Sequence, residues 1–252
     1  MYKIWRMWLN RNPQPDWIKL CLSTTETHNP LDYNYVTDEN LARYLPTLRA
    51  EVWNITHIVA LCDYIRLSLI YQYGGIWLDA DAIIMHSLTF MLNELDRGNL
   101  FLLREQEQIR PEEYYDLGFF GAPARHPTIE RALSILDQRL DTGQREMPWS
   151  YGSDALTQAV LETNPSKFVL PSSLTHPFTC LEQDRLTRDD LDIEGLVNPM
   201  APVIVCAAEM FRQNNYGDFQ SKTASELISS PTVMGQLFRR SKNNSLGMWT
   251  DI

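Results

Sequence analysis

The chain has 252 residues, of which 44% are hydrophobic, and its formal net charge at pH 7 is -10. This length and hydrophobic content suffice for one sizeable core, so we expect a single domain that spans residues 1–252. An acidic field of this size repels polyanions and argues against nucleic acid as the main partner. The four cysteines have no short paired spacing, which argues against a zinc knuckle and against a disulfide scaffold.

No segment of the sequence predicts export or membrane insertion. The opening MYKIWRMWLN carries Lys3 and Arg6 inside its apolar run and offers no small-residue cleavage site. The longest uncharged stretches, such as Leu67 to Leu78 and Gly195 to Ala208, are shorter than the roughly 20 apolar residues that a spanning helix needs. We therefore expect a soluble protein without a transmembrane segment, in a reducing, cytoplasmic compartment.

The first part of the chain predicts strand, helix, strand and helix in that order. Residues 2–9, YKIWRMWL, alternate and are rich in aromatic side chains, as in a first strand. Trp17 to Thr27 favours a helix, and residues 31–38 favour a second extended segment. Asp38 is a suitable cap for a short helix over residues 39–45.

A longer helix is predicted from Thr56, because apolar residues recur at steps of three and four as far as Tyr73. Gly74 and Gly75 end this helix, since glycine accepts the left-handed conformation common at helix C-termini. Residues 76–78, Ile-Trp-Leu, are too few for a helix and apolar enough for a central strand.

The rest of the chain continues to alternate. Strands are predicted at residues 99–105, 117–123, 167–171 and 201–208, and helices at residues 126–140 and 153–163. This order favours an α/β layer architecture. The polar residues 239–252 are expected to form a tail or a lid.

Two aspartates follow the predicted central strand. Because strand side chains alternate between faces, Asp79 and Asp81 are expected on one face and Ala80 on the other. Ligands of open α/β sheets bind beyond the carboxyl ends of the strands. Two close carboxylates either raise one pKa or hold a cation, and carboxylates with few other protein ligands suit Mn²⁺ or Mg²⁺ completed by phosphate oxygens and water.

The Asp-x-Asp pattern alone is weak, because 17 aspartates in 252 residues give roughly one such pair by chance. A second pair, Asp190 and Asp192, lies in a charged segment without a strand and is interpreted as a solvated loop. The strand, the double glycine and the preceding helix distinguish the first pair. On that helix Asp63 and Arg66 share a face, either as a local ion pair or as a polar clamp for a hydroxyl-rich ligand.

Residues 63–83, DYIRLSLIYQYGGIWLDADAI, resemble a known family pattern of Asp-x-x-Arg, Leu-Tyr-x-x-Gly-Gly and Asp-x-Asp. The family is that of glycosyltransferases with a sugar-binding region containing a DXD motif. It includes capsular polysaccharide synthesis transferases, the yeast initiating mannosyltransferase and, more remotely, the large clostridial glucosylating toxins. Residues 3–41, 118–127 and 168–178 extend the resemblance.

The resemblance implies a GT-A fold, which is a Rossmann-like mixed sheet flanked by helices. It also implies transfer of a hexosyl or pentosyl group from a nucleotide-sugar donor, a UDP- or GDP-sugar, with a divalent metal and with retention of configuration. The acceptor stays open: a glycan is expected, and a lipid-linked intermediate, a protein or a modified nucleobase are alternatives.

The resemblance further implies roles for the acidic residues. Asp81 would coordinate the metal, and Asp79 would reach the donor ribose or a metal-bound water. Asp154, at the start of a predicted helix, would contact donor-sugar hydroxyls, although an acid in the first turn also stabilises a helix by itself. In the C-terminal segment NNSLGMW, Asn244 would serve the metal, and Glu209 is an alternative third ligand.

For the donor, Asp63 with Arg66 would hold the sugar, and Trp8 would lie near the nucleotide base unless it is a core aromatic. The donor-binding set is Trp8, Asp63, Arg66, Tyr73, Gly74, Gly75, Asp79, Ala80 and Trp249. The catalytic set is Asp79, Asp81 and Asp154, and the metal-binding set is Asp79, Asp81 and Asn244.

Two rival classes remain. A phosphatase of the haloacid-dehalogenase type also places Asp-x-Asp after an apolar strand, but the late segment YGDFQSK lacks the second acid that such an enzyme needs. A non-catalytic nucleotide-sugar or glycan-binding module on the same fold is the other, since fold does not fix function. The C-terminal segment departs from the family pattern, which favours this second alternative. A further departure at Asp116 and Leu117, where the family often has an asparagine before Gly-Phe, concerns the acceptor or donor contacts at that point.

Overall fold

The computed structural model describes residues 2–9, 13–29, 33–105, 113–143, 151–208, 211 and 217–244. The chain divides into two compact units. Unit 1 comprises Met1–Trp5, Val36–Leu78 and Met91–Leu170, and unit 2 comprises Arg6–Tyr35, Asp79–Phe90 and Pro171–Ile252. The prediction of a single domain stays a prediction.

Strands and helices alternate through most of the described chain. The strands are β1 (Ile4–Met7), β2 (Tyr33–Val36), β3 (Gly75–Leu78), β4 (Ala82–Ile84), β5 (Leu100–Arg104), β6 (Tyr115–Ala122), β7 (Lys167–Pro171) and β8 (Val203–Val205). The helices are α1 (Asp16–His28), α2 (Asp38–Tyr44), α3 (Ile58–Tyr73), α4 (Thr89–Asp96), α5 (Pro127–Asp141), α6 (Tyr151–Thr163), α7 (Ala224–Ser229) and α8 (Val233–Asn243). Short 3₁₀ helices cover Ala50–Asn54, Ser172–Leu174, Cys180–Thr187, Ile193–Gly195 and Gly217–Ser221.

Six of the strands form one mixed sheet in the order β2-β1-β3-β6-β5-β7. Strand β3 runs parallel to β1, with Trp5 opposite Trp77, and antiparallel to β6, with Ile76 opposite Gly121. All four residues of β3 are buried, as expected for a central strand. The predicted fold class, an α/β mixed sheet with flanking helices, is confirmed.

In unit 1, the sequence of helix α5 explains why helices pack against the sheet. Its buried residues Ile129, Ala132 and Leu136 recur at steps of three and four and so line one face. This helix packs against α3 and α6, and both of those helices contact β6. Within the sheet, the rings of Phe101 and Phe119 stack edge to face with centroids 4.7 Å apart.

Unit 2 has a core of its own, built on α1, α8 and a second, two-stranded sheet. Strand β4 pairs antiparallel with β8, with Ile83 opposite Ile204. Trp17 and Ile18 of α1 and Met234 of α8 pack in the same apolar cluster as Ile83 and Ile204. The sequence analysis predicted β8 but missed β4, which has only three residues and directly follows the aspartate pair.

Several predicted boundaries differ from the structure. Helix α2 has Thr37, not Asp38, as its N-cap, and the Thr37 N–H donates to the Asn40 side chain over 2.9 Å. Helix α3 begins at Ile58 rather than Thr56, because the chain before it forms a 3₁₀ turn. Residues 239–243, predicted as the start of a tail or lid, complete α8, and residues 245–252 lie outside the described chain.

The double glycine ends α3 as predicted. Glycine is also required at this point because two backbone segments approach each other closely. Gly74 is the C-cap with φ 68°, and Gly75 has φ 108° at the first position of β3. A Cβ atom on Gly75 would lie 2.2 Å from the carbonyl oxygen of Lys3, which itself accepts from the Ile76 N–H over 2.9 Å. Only glycine therefore fits between the neighbouring backbones.

Substitution of Gly75 by alanine should cost at least about 3 kcal/mol of unfolding free energy, because the new methyl group meets backbone and not a movable side chain. Gly143 is the matched control: its φ is 77°, but a Cβ there would meet no atom of the described residues within 4 Å. Gly143→Ala should cost only about 1–2 kcal/mol. Urea unfolding of both variants measures the difference, and equal losses would refute the close-approach argument.

Candidate functional site

The Asp-x-Asp pair lies in a tight turn between β3 and β4. The Ala82 N–H donates to the Asp79 carbonyl over 3.1 Å, which closes the turn. The predicted strand alternation therefore does not hold at this point, because the strand has already ended at Leu78. Ala80 nevertheless lies in the unit 2 core, 8% exposed, while Asp79 and Asp81 are partly exposed.

Arg6, which the sequence analysis did not assign to the site, contacts this turn from the buried side. Its side chain is fully buried. One terminal nitrogen, Nη2, donates to the carbonyls of Asp79 and Ala82 over 2.8 and 2.7 Å. The other, Nη1, donates to the Cys21 carbonyl and the Thr25 hydroxyl of α1, each over 2.8 Å. One guanidinium thus connects both ends of the turn to α1.

Asp81 has one satisfied and one unsatisfied carboxylate oxygen. Its Oδ2 accepts from the Ala208 N–H over 2.8 Å. Its Oδ1 is buried and has no hydrogen-bond partner among the described residues. A buried acceptor without a partner costs free energy, and more so when it carries charge.

The electrostatics of the turn disfavour two ionised carboxylates. Burial, followed by the charge of Asp79, raises the pKa of Asp81 to about 7, while the Ala208 N–H and the Arg6 guanidinium act in the opposite direction. The fold therefore holds Asp81 in a state that a proton or a cation would relieve.

The turn fits a divalent cation, because Asp81 has a buried carboxylate oxygen without a hydrogen-bond partner among the described residues, and Asp79 on the same turn is close enough for its charge to raise the pKa of Asp81. Among the described residues no group of three or more His, Cys, Asp or Glu side chains could hold a metal ion. An ion here would therefore depend on water and on oxygens of a ligand, as Mg²⁺ sites commonly do. Asn244 is the C-cap of α8, and its backbone N–H donates to the Arg240 carbonyl over 3.0 Å. Its predicted metal contact stays a prediction, and Glu209 and Trp249 lie outside the described chain.

Trp8 is partly buried and packs against the core of unit 2. This location agrees with its alternative as a core aromatic and leaves part of the ring accessible. Its predicted place beside a nucleotide base stays a prediction.

Asp63 and Arg66 form a buried ion pair in unit 1. The Arg66 Nη2 lies 3.4 Å from the Asp63 Oδ1, and the two residues are 5% and 2% exposed. The guanidinium also donates to the Leu117 carbonyl over 2.8 Å and lies over the Trp77 ring, 5.2 Å from its centroid. The structure thus shows the predicted local ion pair, an i,i+3 pair on α3, and places it in the interior rather than at the surface.

Asp63 also holds the first turn of α6. Its Oδ2 accepts from the Gly152 N–H over 2.9 Å, and a Cβ on Gly152 would lie 2.4 Å from the Asp63 Cβ. A carboxylate at a helix N-terminus stabilises the unpaired N–H groups there. The shared contacts make this pair an anchor between α3, β6 and α6, while a direct contact with donor sugar stays a prediction.

Asp154 lies one turn into α6, in the same unit. Its Oδ1 accepts from the Tyr114 hydroxyl over 2.8 Å, so the residue does more than complement the helix dipole. The Leu117 N–H donates to the Ser153 hydroxyl over 3.3 Å, and Asp116 accepts from the Gly118 N–H over 2.7 Å. The start of α6 and the start of β6 are therefore joined by polar contacts. Asp154 lies among them.

Tyr73, Gly74 and Gly75, predicted as donor contacts, lie at the opposite end of β3 from the aspartate pair. The Tyr73 hydroxyl donates to the Tyr44 carbonyl over 2.8 Å, and a Cβ on Gly74 would meet the Tyr2 ring at 2.8 Å. A four-residue strand spans about 10 Å between its first and last Cα atoms. These three residues pack at the α3 C-terminus, and their predicted contact with the donor stays a prediction.

Residues 1–138, more than half of the chain, match the model of a family described as capsular polysaccharide synthesis protein. No curated protein sequence matches the chain. Among solved structures, the chain is similar to a protein described as PaToxG glycosyltransferase, with 12% identity, a TM-score of 0.46 and coverage of 96% of this chain and 85% of that one. It is also similar to mouse xyloside xylosyltransferase 1 in its apo form, with 12% identity, a TM-score of 0.49 and coverage of 83% and 98%. None of the described helices is both long and apolar enough to cross a membrane.

The raised pKa of Asp81 predicts a pH-dependent stability in metal-free protein. A carboxyl whose pKa is higher in the folded state than its usual value near 4 makes the fold less stable as pH rises from about 4 to about 7. Asp81→Asn removes this penalty, so the variant should gain stability over the wild type between pH 5 and pH 8. The relative gain should be on the order of 1–3 kcal/mol, reduced by solvent access to the carboxylate.

Unfolding with urea in the presence of a chelator, at several pH values, measures this trend. Asp190→Asn serves as the control, because the exposed Asp190 carboxylate pairs with Arg188 and its pKa is lowered by that contact. Its stability difference from the wild type should not change between pH 5 and pH 8. A flat difference for Asp81→Asn as well would contradict the electrostatic description of the turn.

The buried ion pair predicts an unequal effect of two similar substitutions. Arg66→Met leaves the Asp63 carboxylate buried without its cation and should cost about 3–5 kcal/mol. Arg97→Met removes an i,i+3 partner from Glu94 at the surface, where Arg97 is largely exposed, and should cost less than about 1 kcal/mol. Thermal and urea unfolding check both values, and a small loss for Arg66→Met would show that the pair is not an anchor.

Proposed function

Because the chain belongs to the capsular polysaccharide synthesis protein family, we propose that it is a metal-dependent glycosyltransferase. Its donor is a nucleotide sugar, a UDP- or GDP-sugar, and its acceptor is a glycan. The observation that carries the proposal is the turn after β3, where the buried Asp81 Oδ1 has no hydrogen-bond partner among the described residues and the charge of Asp79 acts on the same carboxyl group.

Asp79 and Asp81 are the residues that would hold the divalent ion, Mn²⁺ or Mg²⁺. When bound, such an ion neutralises negative charge on the departing nucleoside diphosphate. The protein's own part at this turn is to hold two carboxylates in a fixed geometry before the donor arrives, so that no reorganisation is required during the reaction. The Ala208 N–H and the Arg6 guanidinium supply that rigidity.

The roles of the unit 1 residues belong to the same proposal. The Asp154 carboxylate accepts from the Tyr114 hydroxyl, and a donor-sugar hydroxyl could take the place of that donor. Asp63 and Arg66 act in this account by fixing the start of α6, which carries Asp154. We propose retention of anomeric configuration from the family resemblance and assign no covalent nucleophile.

A non-catalytic nucleotide-sugar binder is the second candidate, and one observation favours it. The Ala208 amide already occupies one oxygen of Asp81, and among the described residues no third His, Cys, Asp or Glu side chain completes a metal-binding group with the pair. A module of this kind would bind donor and metal without turnover.

Incubation of the protein with Mn²⁺ and a panel of nucleotide sugars distinguishes the two candidates, because a transferase without acceptor slowly hydrolyses its donor. We expect nucleoside diphosphate release with at least one donor, and a loss of at least about 100-fold in Asp81→Asn, whose side chain is a poorer ligand for a hard cation. Chelation of the metal should abolish the release, and added Mn²⁺ should restore it.

The matched control is the other Asp-x-Asp pair in the chain. Asp190→Asn alters an exposed carboxylate that pairs with Arg188, so release should equal that of the wild type. Donor binding without release would support the binding module. Release that survives in Asp81→Asn would contradict the assigned metal site.

A further inference from the structure

We propose that Arg6 is a positioning residue for the divalent-cation site, and that it acts through the backbone of the Asp79–Ala82 turn. The inference rests on the proposed function of that turn. Arg6 makes no contact with the cation in this account. It fixes the conformation in which Asp79 and Asp81 can share an ion.

The hydrogen bonds of Arg6 connect three separate parts of unit 2. Nη2 donates to Asp79 and Ala82, the first and last residues of the turn. Nη1 donates to Cys21 and Thr25, which lie one turn apart on α1. All four distances are 2.7–2.8 Å, in the range of strong charge-assisted bonds.

The turn receives hydrogen bonds from within and from other segments of the chain, and Arg6 belongs to the second group. Within the turn, the Ala82 N–H donates to the Asp79 carbonyl over 3.1 Å. From outside, the Asp81 carbonyl accepts from the Cys206 N–H over 3.3 Å, and the side chain accepts from the Ala208 N–H. Repulsion between the two carboxylates favours a wider turn in the absence of a cation. Arg6 opposes that widening, since it bonds both ends of the turn at once.

The positive charge of Arg6 by itself would weaken the binding of a divalent cation at the turn. A buried guanidinium repels a divalent cation, and the low dielectric of the interior strengthens that repulsion. Any benefit of Arg6 to metal binding must therefore come from the planar, forked geometry of its donors. Lysine has the same charge, but its single ammonium group cannot reproduce two parallel pairs of bonds. This difference separates a geometric role from an electrostatic one.

The test measures Mn²⁺ binding to the full chain by electron paramagnetic resonance of the free ion, without donor or acceptor. Arg6→Lys keeps the charge and loses the fork, so its Kd for Mn²⁺ should rise at least about tenfold over the wild type. Thr25→Val is the matched control. It removes one partner of Arg6 on α1, in an equally buried position, and keeps both bonds to the turn.

Thr25→Val should lower the melting temperature and leave the Kd for Mn²⁺ within about twofold of the wild type. Wild-type affinity in Arg6→Lys, or an equal loss in Thr25→Val, would overturn the inference. If Asp81→Asn abolishes Mn²⁺ binding but Arg6→Lys binds Mn²⁺ as tightly as the wild type, the metal site stands and only the role of Arg6 is refuted. Absence of Mn²⁺ binding in the folded wild type would sink the metal site and the inference together.

A second measurement needs no substitution at Arg6 and covers the case in which Arg6→Lys does not fold. If Arg6 favours the cation, linkage requires that the cation favours the Arg6 hydrogen bonds to the same extent. Titration of the wild type with diamagnetic Mg²⁺ should therefore slow solvent exchange of the Arg6 Nη protons in nitrogen-15 NMR spectra. Unchanged exchange at saturating Mg²⁺ would contradict the proposal.

Discussion

Asp79 and Asp81 carry like charges on one tight turn, and their mutual repulsion is the constraint that the surrounding chain has to meet. Two groups of the protein offset part of this repulsion: the Arg6 guanidinium, which bonds the turn backbone, and the Ala208 amide, which bonds the Asp81 side chain. It leaves Asp81 Oδ1 buried without a hydrogen-bond partner among the described residues. Unmet polar atoms of this kind are uncommon in protein interiors and call for a reason. A cation that shares both carboxylates supplies one.

The support of this turn extends into the unit 2 core. Helix α1 provides two acceptors for Arg6 and packs its apolar face against β4, the strand that leaves the turn. Ala80, between the two aspartates, is buried in the same cluster. Apolar packing of Ala80 and β4 in the unit 2 core therefore fixes the conformation of the turn that carries the two carboxylates. Support of this kind keeps a site rigid before a ligand binds.

Unit 1 contains a second buried charge that depends on its partners. The Asp63 and Arg66 pair is nearly inaccessible, and each member also bonds a backbone group of another element. Buried ion pairs contribute little net stability against an apolar alternative, but they fix geometry because breaking them is costly. Here the geometry that is fixed is the start of α6, where Asp154 lies.

The sequence was sufficient for local features and insufficient for long-range ones. Apolar periodicity located α3 and β3, and the double glycine located the end of α3, because these signals arise within about twenty residues. Arg6 was visible only as a charge inside an apolar strand, and its partners in the turn lie 73 and 76 residues further along the chain. Tyr73, Gly74 and Gly75 are assigned to the donor site because they lie in the segment that resembles the family's Leu-Tyr-x-x-Gly-Gly pattern. The structure adds that both glycines pack closely against the chain at Tyr2 and Lys3, and the donor contact stays a prediction.

Strand β4 escaped detection for a related reason. Three apolar residues after a turn carry no period of their own, and their pairing with β8 joins segments more than a hundred residues apart. The same distance separates Asp81 from the Ala208 amide. Sequence patterns indicated that the two aspartates are functional candidates. Only the fold shows that Asp81 Oδ2 accepts a hydrogen bond, whereas Oδ1 has no hydrogen-bond partner among the described residues.

The central claim is that Asp81 Oδ1 is a ligand of a divalent cation. Anomalous scattering at the manganese edge, from crystals soaked with Mn²⁺ and a nucleoside diphosphate, tests it most directly. The account predicts one strong anomalous peak in contact with Asp81 Oδ1 and beside Asp79. A peak elsewhere, or an Asp81 Oδ1 bonded to a protein donor with no ion beside it, would contradict the account.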